Sequence, residues 1–297
     1  MQLLSRSIQG IWLPLVMPFK DGALDTESLS RLASHYRSQP VDGMILAATT
    51  GEGLTLDPDE IAKLTETVAE ELQGELPIYL GISGSDTRKV VAAVRQAGRL
   101  PIDGYLVTCP YYTRPSQDGL YRHFEAVGNA ADRPVLIYNI PYRTGVNLSN
   151  DTLLGLTEIP AISGLKDCCA DMAQSFDLLL RRPAGFSVMT GEDAQYYTAL
   201  VQGADGGILA SAHIETAAFA EVRDQLQSGN QPGALNTWRA LSYVPQILFT
   251  EPSPSPIKYW LWRQGLIDSP EVRLPMTEIS AGLASRIDAE VERRAAA

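Results

Sequence analysis

The chain has 297 residues, 45% of them hydrophobic and 20% charged, a globular composition that excludes a disordered polymer and suits one large domain or two small ones. Its formal net charge of -11 argues against a nucleic-acid partner, because a phosphate backbone needs a basic face to displace counterions. Three cysteines, Cys109, Cys168 and Cys169, cannot build a disulfide framework or a CxxC zinc site, and His35, His123 and His213 form no paired metal motif, so a reducing compartment and no metal are expected.

In chain order, the first feature is an apolar stretch from Met1 to Phe19 with an early Arg6, the outline of a leader. Pro14 and Pro18 interrupt it, the turn Lys20-Asp21-Gly22 follows it, and no small-residue cleavage pattern ends it. No run reaches the ~18 apolar residues needed to span a bilayer, so the chain reads as soluble and cytoplasmic, with no membrane partner. Short apolar or β-branched runs then recur at 11–19, 43–48, 77–83, 104–110, 134–141, 161–167, 186–192 and 206–211. These intervals are too long for hairpins and fit strand–helix units. Capping signals open the intervening segments, at Asp25-Thr26-Glu27-Ser28 before Leu29 and Leu32, and at Asp57-Pro58-Asp59-Glu60 before Ile61, Leu64 and Val68. Further helix starts fall at Ser85-Asp86, Pro115-Ser116, Ser149-Asn150 and Glu192-Asp193.

Eight apolar strands, each answered by a helix, predict an α/β fold, a (β/α)8 TIM barrel over residues 1–225. A doubly wound sheet is disfavoured because no strand feeds a GxGxxG or P-loop motif; Thr49-Thr50-Gly51-Glu52-Gly53 lacks the lysine and the spacing. Residues 226–297 read as a C-terminal helical extension, with 251–256 as a stiff proline-rich break.

A barrel gathers its chemistry at the C-terminal ends of its strands. Those ends carry Thr49-Thr50, Tyr111-Tyr112, Tyr138 with Arg143 and Gly145, and Lys166-Asp167. Of only five lysines, Lys20, Lys63, Lys89 and Lys258 occupy turn-like or amphipathic contexts that predict solvent exposure, whereas Lys166 closes a buried run. Desolvation favours its neutral amine, which can attack a carbonyl carbon to make a Schiff base. The competing reading is a strand-end lysine that snorkels to water or pairs with Asp167. Near such an amine, Thr50 and the backbone N–H groups of Thr49 and Thr50 suit a carboxylate, Tyr138, Thr49 and Tyr112 suit proton relay, and Arg143 offers a bidentate fork for a second acid. Taken singly, the tyrosines also read as buried aromatics and Arg143 as a surface ion pair. Gly51, Gly145 and Gly191 are expected to permit positive φ in tight turns, and Cys168 and Cys169 to be small buried residues. Glu192 and Asp193 read equally as rim residues or as a helix N-terminal charge pair.

The segments TTGE at 49–52, PYYTRPSQDGLYRHF at 110–124, YNIPYRTG at 138–145, GLKD around Lys166 and EPSPSPIKYW at 251–260 resemble the dihydrodipicolinate synthase family of class I pyruvate-dependent aldolases, along nearly the whole chain. The resemblance implies a Schiff base between pyruvate and Lys166 without any cofactor, a relay of Thr49, Tyr112 and Tyr138, and a pyruvate site with Thr50, Gly191 and Ile208. It also implies Arg143 as receptor for the carboxylate of aspartate semialdehyde, and a homo-oligomer, dimer or tetramer, in which Tyr112 enters the neighbouring subunit's site. The implied reaction is condensation to 4-hydroxy-tetrahydrodipicolinate in lysine and diaminopimelate synthesis. Relatives that act on keto-deoxy sugar acids, sialic acid or cyclic imino acids share the lysine and tyrosine and are the alternative; a silent keto-acid-binding barrel is a more distant one.

Departures from the family pattern are Tyr142, where a small serine usually precedes the arginine, the run Asp167-Cys168-Cys169 after the lysine, and Gly-Gly-Ile-Leu-Ala-Ser-Ala-His in the eighth strand. Positions that bind inhibitory lysine in feedback-regulated relatives carry Gly53, Pro58, Ile61 and Lys89, which implies weak or absent lysine inhibition.

Overall fold

The computed structural model describes residues 7–295. The first six residues, including Arg6 of the stretch weighed as a leader, lie outside the described residues. Eight strands close into a parallel barrel: β1 (Gly10–Pro14), β2 (Gly43–Leu46), β3 (Ile78–Ile82), β4 (Gly104–Thr108), β5 (Val135–Asn139), β6 (Ile162–Asp167), β7 (Ser187–Thr190) and β8 (Gly206–Ile208). Each pairs with its neighbours in sequence, and β8 returns to β1. Every strand residue except Gly81 is buried, which explains why the sequence showed continuous apolar runs without alternation.

The first strand is shorter than the predicted 11–19. It ends at Pro14, and the chain resumes pairing only in a small antiparallel hairpin of Phe19–Lys20 with Ala23–Leu24. Proline lacks the N–H that a ladder needs. Most of the other runs also outlast their strands, because the loops leaving the barrel are themselves buried, as Cys109, Ile140 and Ala210 are.

Alternation sorts the side chains into two cores. Val135 and Ile137 of β5 face the helical shell, while Leu136 and Tyr138 face the barrel interior with Trp12, Ile45, Tyr79, Leu106, Met189 and Ile208. Trp12 and Tyr79 meet edge to face at 4.9 Å and fill the lower interior. Their bulk is admitted by glycines: a Cβ on Gly43 would lie 2.7 Å from Trp12, and one on Gly104 2.4 Å from Tyr79.

The predicted caps at Asp25 and Asp57 open helices Thr26–Arg37 and Pro58–Leu72, the second through a full capping box with Glu60. Helix Ala212–Gln227 follows β8 and spans position 225. Helices Gln231–Leu241, Tyr243–Leu248, Ser255–Arg263 and Ala281–Ala295 follow it. Among the described residues, no helix is long and apolar enough to cross a membrane.

Lys258 overturns the expectation of solvent exposure. It is 0% exposed, and its Nζ donates to Glu52 Oε1 at 2.8 Å. The helix Ser255–Arg263 thereby reaches the loop after β2, a long-range contact that local amphipathicity does not reveal.

Candidate active site

Lys166 sits in β6 with its backbone in register beside Tyr138 of β5. It is 5% exposed, and its Nζ lies 4.4 Å from the centre of the Tyr138 ring. The snorkelling reading is therefore excluded. Pairing with Asp167 is excluded too, since that carboxylate points the other way and accepts from Ser175 Oγ and the Cys169 amide. Desolvation lowers the Lys166 pKa from its ordinary value of 10.5, opposed by the charges of Asp193 and Glu192. A neutral amine in an apolar chamber is the form that attacks a carbonyl.

Burial acts oppositely on the acids around it. The Tyr138 phenol is pushed well above 10.0 and stays protonated, with the Thr49 hydroxyl as a hydrogen-bonding neighbour. Cys168, also inside the barrel, is held as a thiol by the same desolvation and has Tyr138 as a hydrogen-bonding neighbour. It is more than a small filler residue, because its sulfur faces the chamber that holds the amine.

The loop carrying Thr49 and Thr50 is bracketed by two residues with left-handed backbone, Ala47 at φ 51° and Glu52 at φ 49°. Such conformations are costly for side chains other than glycine and persist only where tertiary contacts impose them. Glu52 supplies the contacts: besides Lys258, its carboxylate accepts the Arg273 amide at 2.9 Å, and its own N–H bonds the Thr49 carbonyl. Thr50 is buried within this loop.

Gly191 has a role different from the predicted turn glycine, as does Gly51; only Gly145, at φ +77°, has the expected left-handed backbone. A Cβ on Gly191 would lie 2.4 Å from both Lys166 Cε and Cys168 Sγ. The glycine is a space requirement of the lysine. Ile208 lies in the same interior cluster as Tyr138, Cys168 and Met189.

At the mouth, a cavity of about 620 Å³ is lined by Thr49, Thr108, Tyr111, Tyr112, Tyr142 and Arg143 among others. Arg143 follows Pro141 and Tyr142 in a single helical turn after β5. Its guanidinium has no carboxylate partner among the described residues, so the surface ion-pair reading fails. Tyr142 crosses from this turn to the loop after β7, where its hydroxyl donates to Glu192 Oε1 at 3.0 Å. Asp193, by contrast, accepts the Ser211 amide and braces the loop after β8. Tyr112 is apart from Lys166 and Tyr138: its backbone is left-handed at φ 70° and its ring is 91% exposed. The three histidines stay out of the site; burial lowers His123 and His213 to about 4.

The model of the dihydrodipicolinate synthetase family matches residues 7–293. The chain belongs to that family. Among members of the dihydrodipicolinate synthetase family, it is 42% identical to 4-hydroxy-tetrahydrodipicolinate synthase 2 of Clostridium acetobutylicum, over 95% of this chain and 98% of the relative. It is 33% identical to the 4-hydroxy-tetrahydrodipicolinate synthase of Laribacter hongkongensis, over 98% of each. The crystal structure of the Aquifex aeolicus dihydrodipicolinate synthase superposes with a TM-score of 0.93 at 31% identity, covering 97% of this chain and 98% of that one. A chloride-inhibited family member from Acinetobacter baumannii, solved with pyruvate, gives 0.92 at 32% identity over 96% and 98%.

Two features of this site were not assigned chemistry from the sequence. Glu192 was balanced between rim residue and helix charge, and only the closed barrel shows that Tyr142 reaches it. Lys258 was expected to reach solvent, and its pairing with Glu52, between the segments EPSPSPIKYW and TTGE, left no signal in either segment.

Proposed function

We propose that this chain condenses pyruvate with aspartate semialdehyde to 4-hydroxy-tetrahydrodipicolinate, an early step of lysine and diaminopimelate synthesis, through a Schiff base on Lys166. The observation that carries this reading is the buried Lys166 amine 4.4 Å from the Tyr138 ring, inside a barrel of this family.

The neutral amine adds to the keto carbon of pyruvate, and the resulting carbinolamine loses its hydroxyl as water to leave an iminium. Loss of a methyl proton gives an enamine, whose carbon attacks the aldehyde of the second substrate. The amino nitrogen of that substrate then adds to the imine carbon, the bond to Lys166 breaks, and the ring is released with the lysine restored as an amine. Each step moves a proton near the lysine nitrogen. Tyr138, kept protonated by burial and accompanied by Thr49, is the group placed to carry it, with Tyr112 supplied by a second copy of the chain in a homodimer or tetramer. Thr50, Gly191 and Ile208 enclose the pyruvate, and Arg143 receives the carboxylate of the aldehyde.

Borohydride reduction in the presence of pyruvate tests the reading. A stable adduct located by mass on a peptide containing Lys166, absent in Lys166→Ala, is expected. An unmodified Lys166 would reduce the protein to a keto-acid-binding barrel. Comparison of kcat/KM across aldehydes and keto-deoxy acids then tests the partner, and a large preference for any partner over aspartate semialdehyde would overturn the named product.

A further inference from the structure

Tyr142 and Glu192 form a bridge that neither the barrel nor the Schiff-base chemistry requires. Tyr142 leaves the end of β5 and Glu192 the end of β7, so their 3.0 Å hydrogen bond passes over β6, the strand that carries Lys166. The Tyr142 end of the bridge is exposed, while its Glu192 end is anchored further in. Glu192 is partly buried, touches the Cys168 thiol, and feels the charge of Lys166 directly.

The same turn fixes the opposite charge. Arg143 is the next residue, with its guanidinium carbon 6.0 Å from the Tyr142 ring centre and no carboxylate partner of its own. The rim above Lys166 therefore presents a cation that lines the mouth cavity and, bonded to a tyrosine of that same cavity, an acid on the adjoining loop oriented by that tyrosine. The two do not pair with each other among the described residues. A ligand that carries both charges would satisfy both poles. A ligand with only a carboxylate, or with a carboxylate and hydroxyls, would leave Glu192 facing no cation.

We propose that Glu192, oriented by the Tyr142 hydroxyl, receives the ammonium group of the second substrate while Arg143 takes its carboxylate, so that Glu192 is the residue that distinguishes an aldehyde bearing a 2-amino acid group from its desamino analogue. This rests on the Schiff-base reading above and deepens it by naming the residue that recognises the amine of its second substrate. The arrangement also serves ring closure. An ammonium gathered at Glu192 is held beside Cys168 and near Lys166; once it gives a proton to the Glu192 carboxylate, the free amine can add to the imine carbon. Tyr142 is a positioning residue in this scheme, since it acts through the carboxylate it orients. Burial raises the Glu192 pKa above 4.5, which accords with a carboxyl that gains from an incoming cation.

The test compares aspartate semialdehyde with succinate semialdehyde, which keeps the aldehyde and carboxylate and lacks the amine. Wild-type protein, Glu192→Gln and Tyr142→Phe are each assayed for kcat/KM on both aldehydes and for borohydride-trapped pyruvate. A charge-assisted hydrogen bond to ammonium predicts a preference for the amino aldehyde that falls about 30-fold in Glu192→Gln. Tyr142→Phe should reduce the same ratio about 3-fold, through KM. A merely structural role would lower both aldehydes alike and leave the ratio unchanged, which would overturn the proposal. Trapped pyruvate with an unmoved ratio removes only the ammonium site. Absence of trapped pyruvate in the wild type removes the Schiff-base reading and this proposal with it.

Discussion

Lys258 and Glu52 meet 2.8 Å apart in an environment that excludes solvent, joining the helix Ser255–Arg263 to the loop that carries Thr49 and Thr50. The lysine Nζ also lies 4.4 Å from the Phe19 ring centre, and Arg273 stacks on that ring at 4.2 Å. Removing one member of a buried pair strands the other charge. Lys258→Met is therefore expected to destabilise the protein by about 3–5 kcal/mol in denaturant unfolding. The double variant Glu52→Gln with Lys258→Met should recover most of that loss, because no uncompensated charge remains. A single variant as stable as wild type would show that the pair is dispensable.

Lys166 sets a trade between stability and activity. Its folded pKa lies below the unfolded 10.5, so between those two values the unfolded chain binds more protons and stability rises with pH. Below the lowered value, the native state bears the cost of a buried ammonium. Lys166→Met should thus raise the thermal midpoint at neutral pH while abolishing pyruvate trapping. Wild-type Schiff-base formation should increase as pH climbs through the lowered pKa, short of 10.5. A rate that falls over that range would contradict a neutral attacking amine.

Gly191 offers a steric test of the chamber. The Cβ of Gly191→Ala would overlap Lys166 Cε and Cys168 Sγ, each 2.4 Å away, so one side chain must move. Overpacking of this kind costs about 1–3 kcal/mol. Displacing the amine by an ångström is expected to cost about 100-fold in kcat. Replacing Cys168 by Gly in the same chain should return part of the activity, because half of the clash is with its sulfur. Wild-type kcat in Gly191→Ala alone would place the amine elsewhere.

The barrel was legible because its signal is repetitive: eight runs buried on both faces, each followed by a capped helix, admit few topologies. The side-by-side placement of Lys166 and Tyr138 was legible for a related reason, since strand register converts position in a run into position in space. Contacts between distant loops were not. Tyr142 and Glu192 are separated by two strands, and Lys258 and Glu52 by most of the chain. Neither pair leaves a periodic trace. Gly191 was misread because a positive φ is the commonest reason for a loop glycine, whereas here the neighbouring lysine leaves no room for a Cβ.

Lysine should inhibit weakly or not at all. A cavity of about 340 Å³ lies beside helices Pro58–Leu72 and Thr87–Ala97, lined by Gly53, Leu54, Pro58, Ile61, Ile82 and Ala93. Its one charged lining residue, Asp59, is exposed, and Lys89 on the facing helix is a cation. Such walls do not offset the desolvation of a dication with a carboxylate. Steady-state rates should be nearly flat with added lysine, and half-inhibition in the submillimolar range would show that the acceptors come from elsewhere.

Tyr112 presents an almost fully exposed ring beside the mouth, with Leu54, also exposed, lining the same cavity. Its left-handed backbone is fixed by the bond from its amide to the Thr144 carbonyl at 3.1 Å, so the ring's outward direction is built in. An ordered aromatic exposed at the rim of its own site is suited to another copy's site. Tyr112→Phe should lose about 100-fold in rate by removing the hydroxyl from the relay. Lys166→Ala should be inactive. Mixed and allowed to exchange subunits, the two inactive proteins should regain activity, because a hybrid holds one site with Lys166 from the first chain and Tyr112 from the second. The recovered rate should vanish on dilution below the dissociation constant of the pair. Mixtures that stay inactive after exchange, verified by mass, would mean that Tyr112 acts within its own chain or not at all.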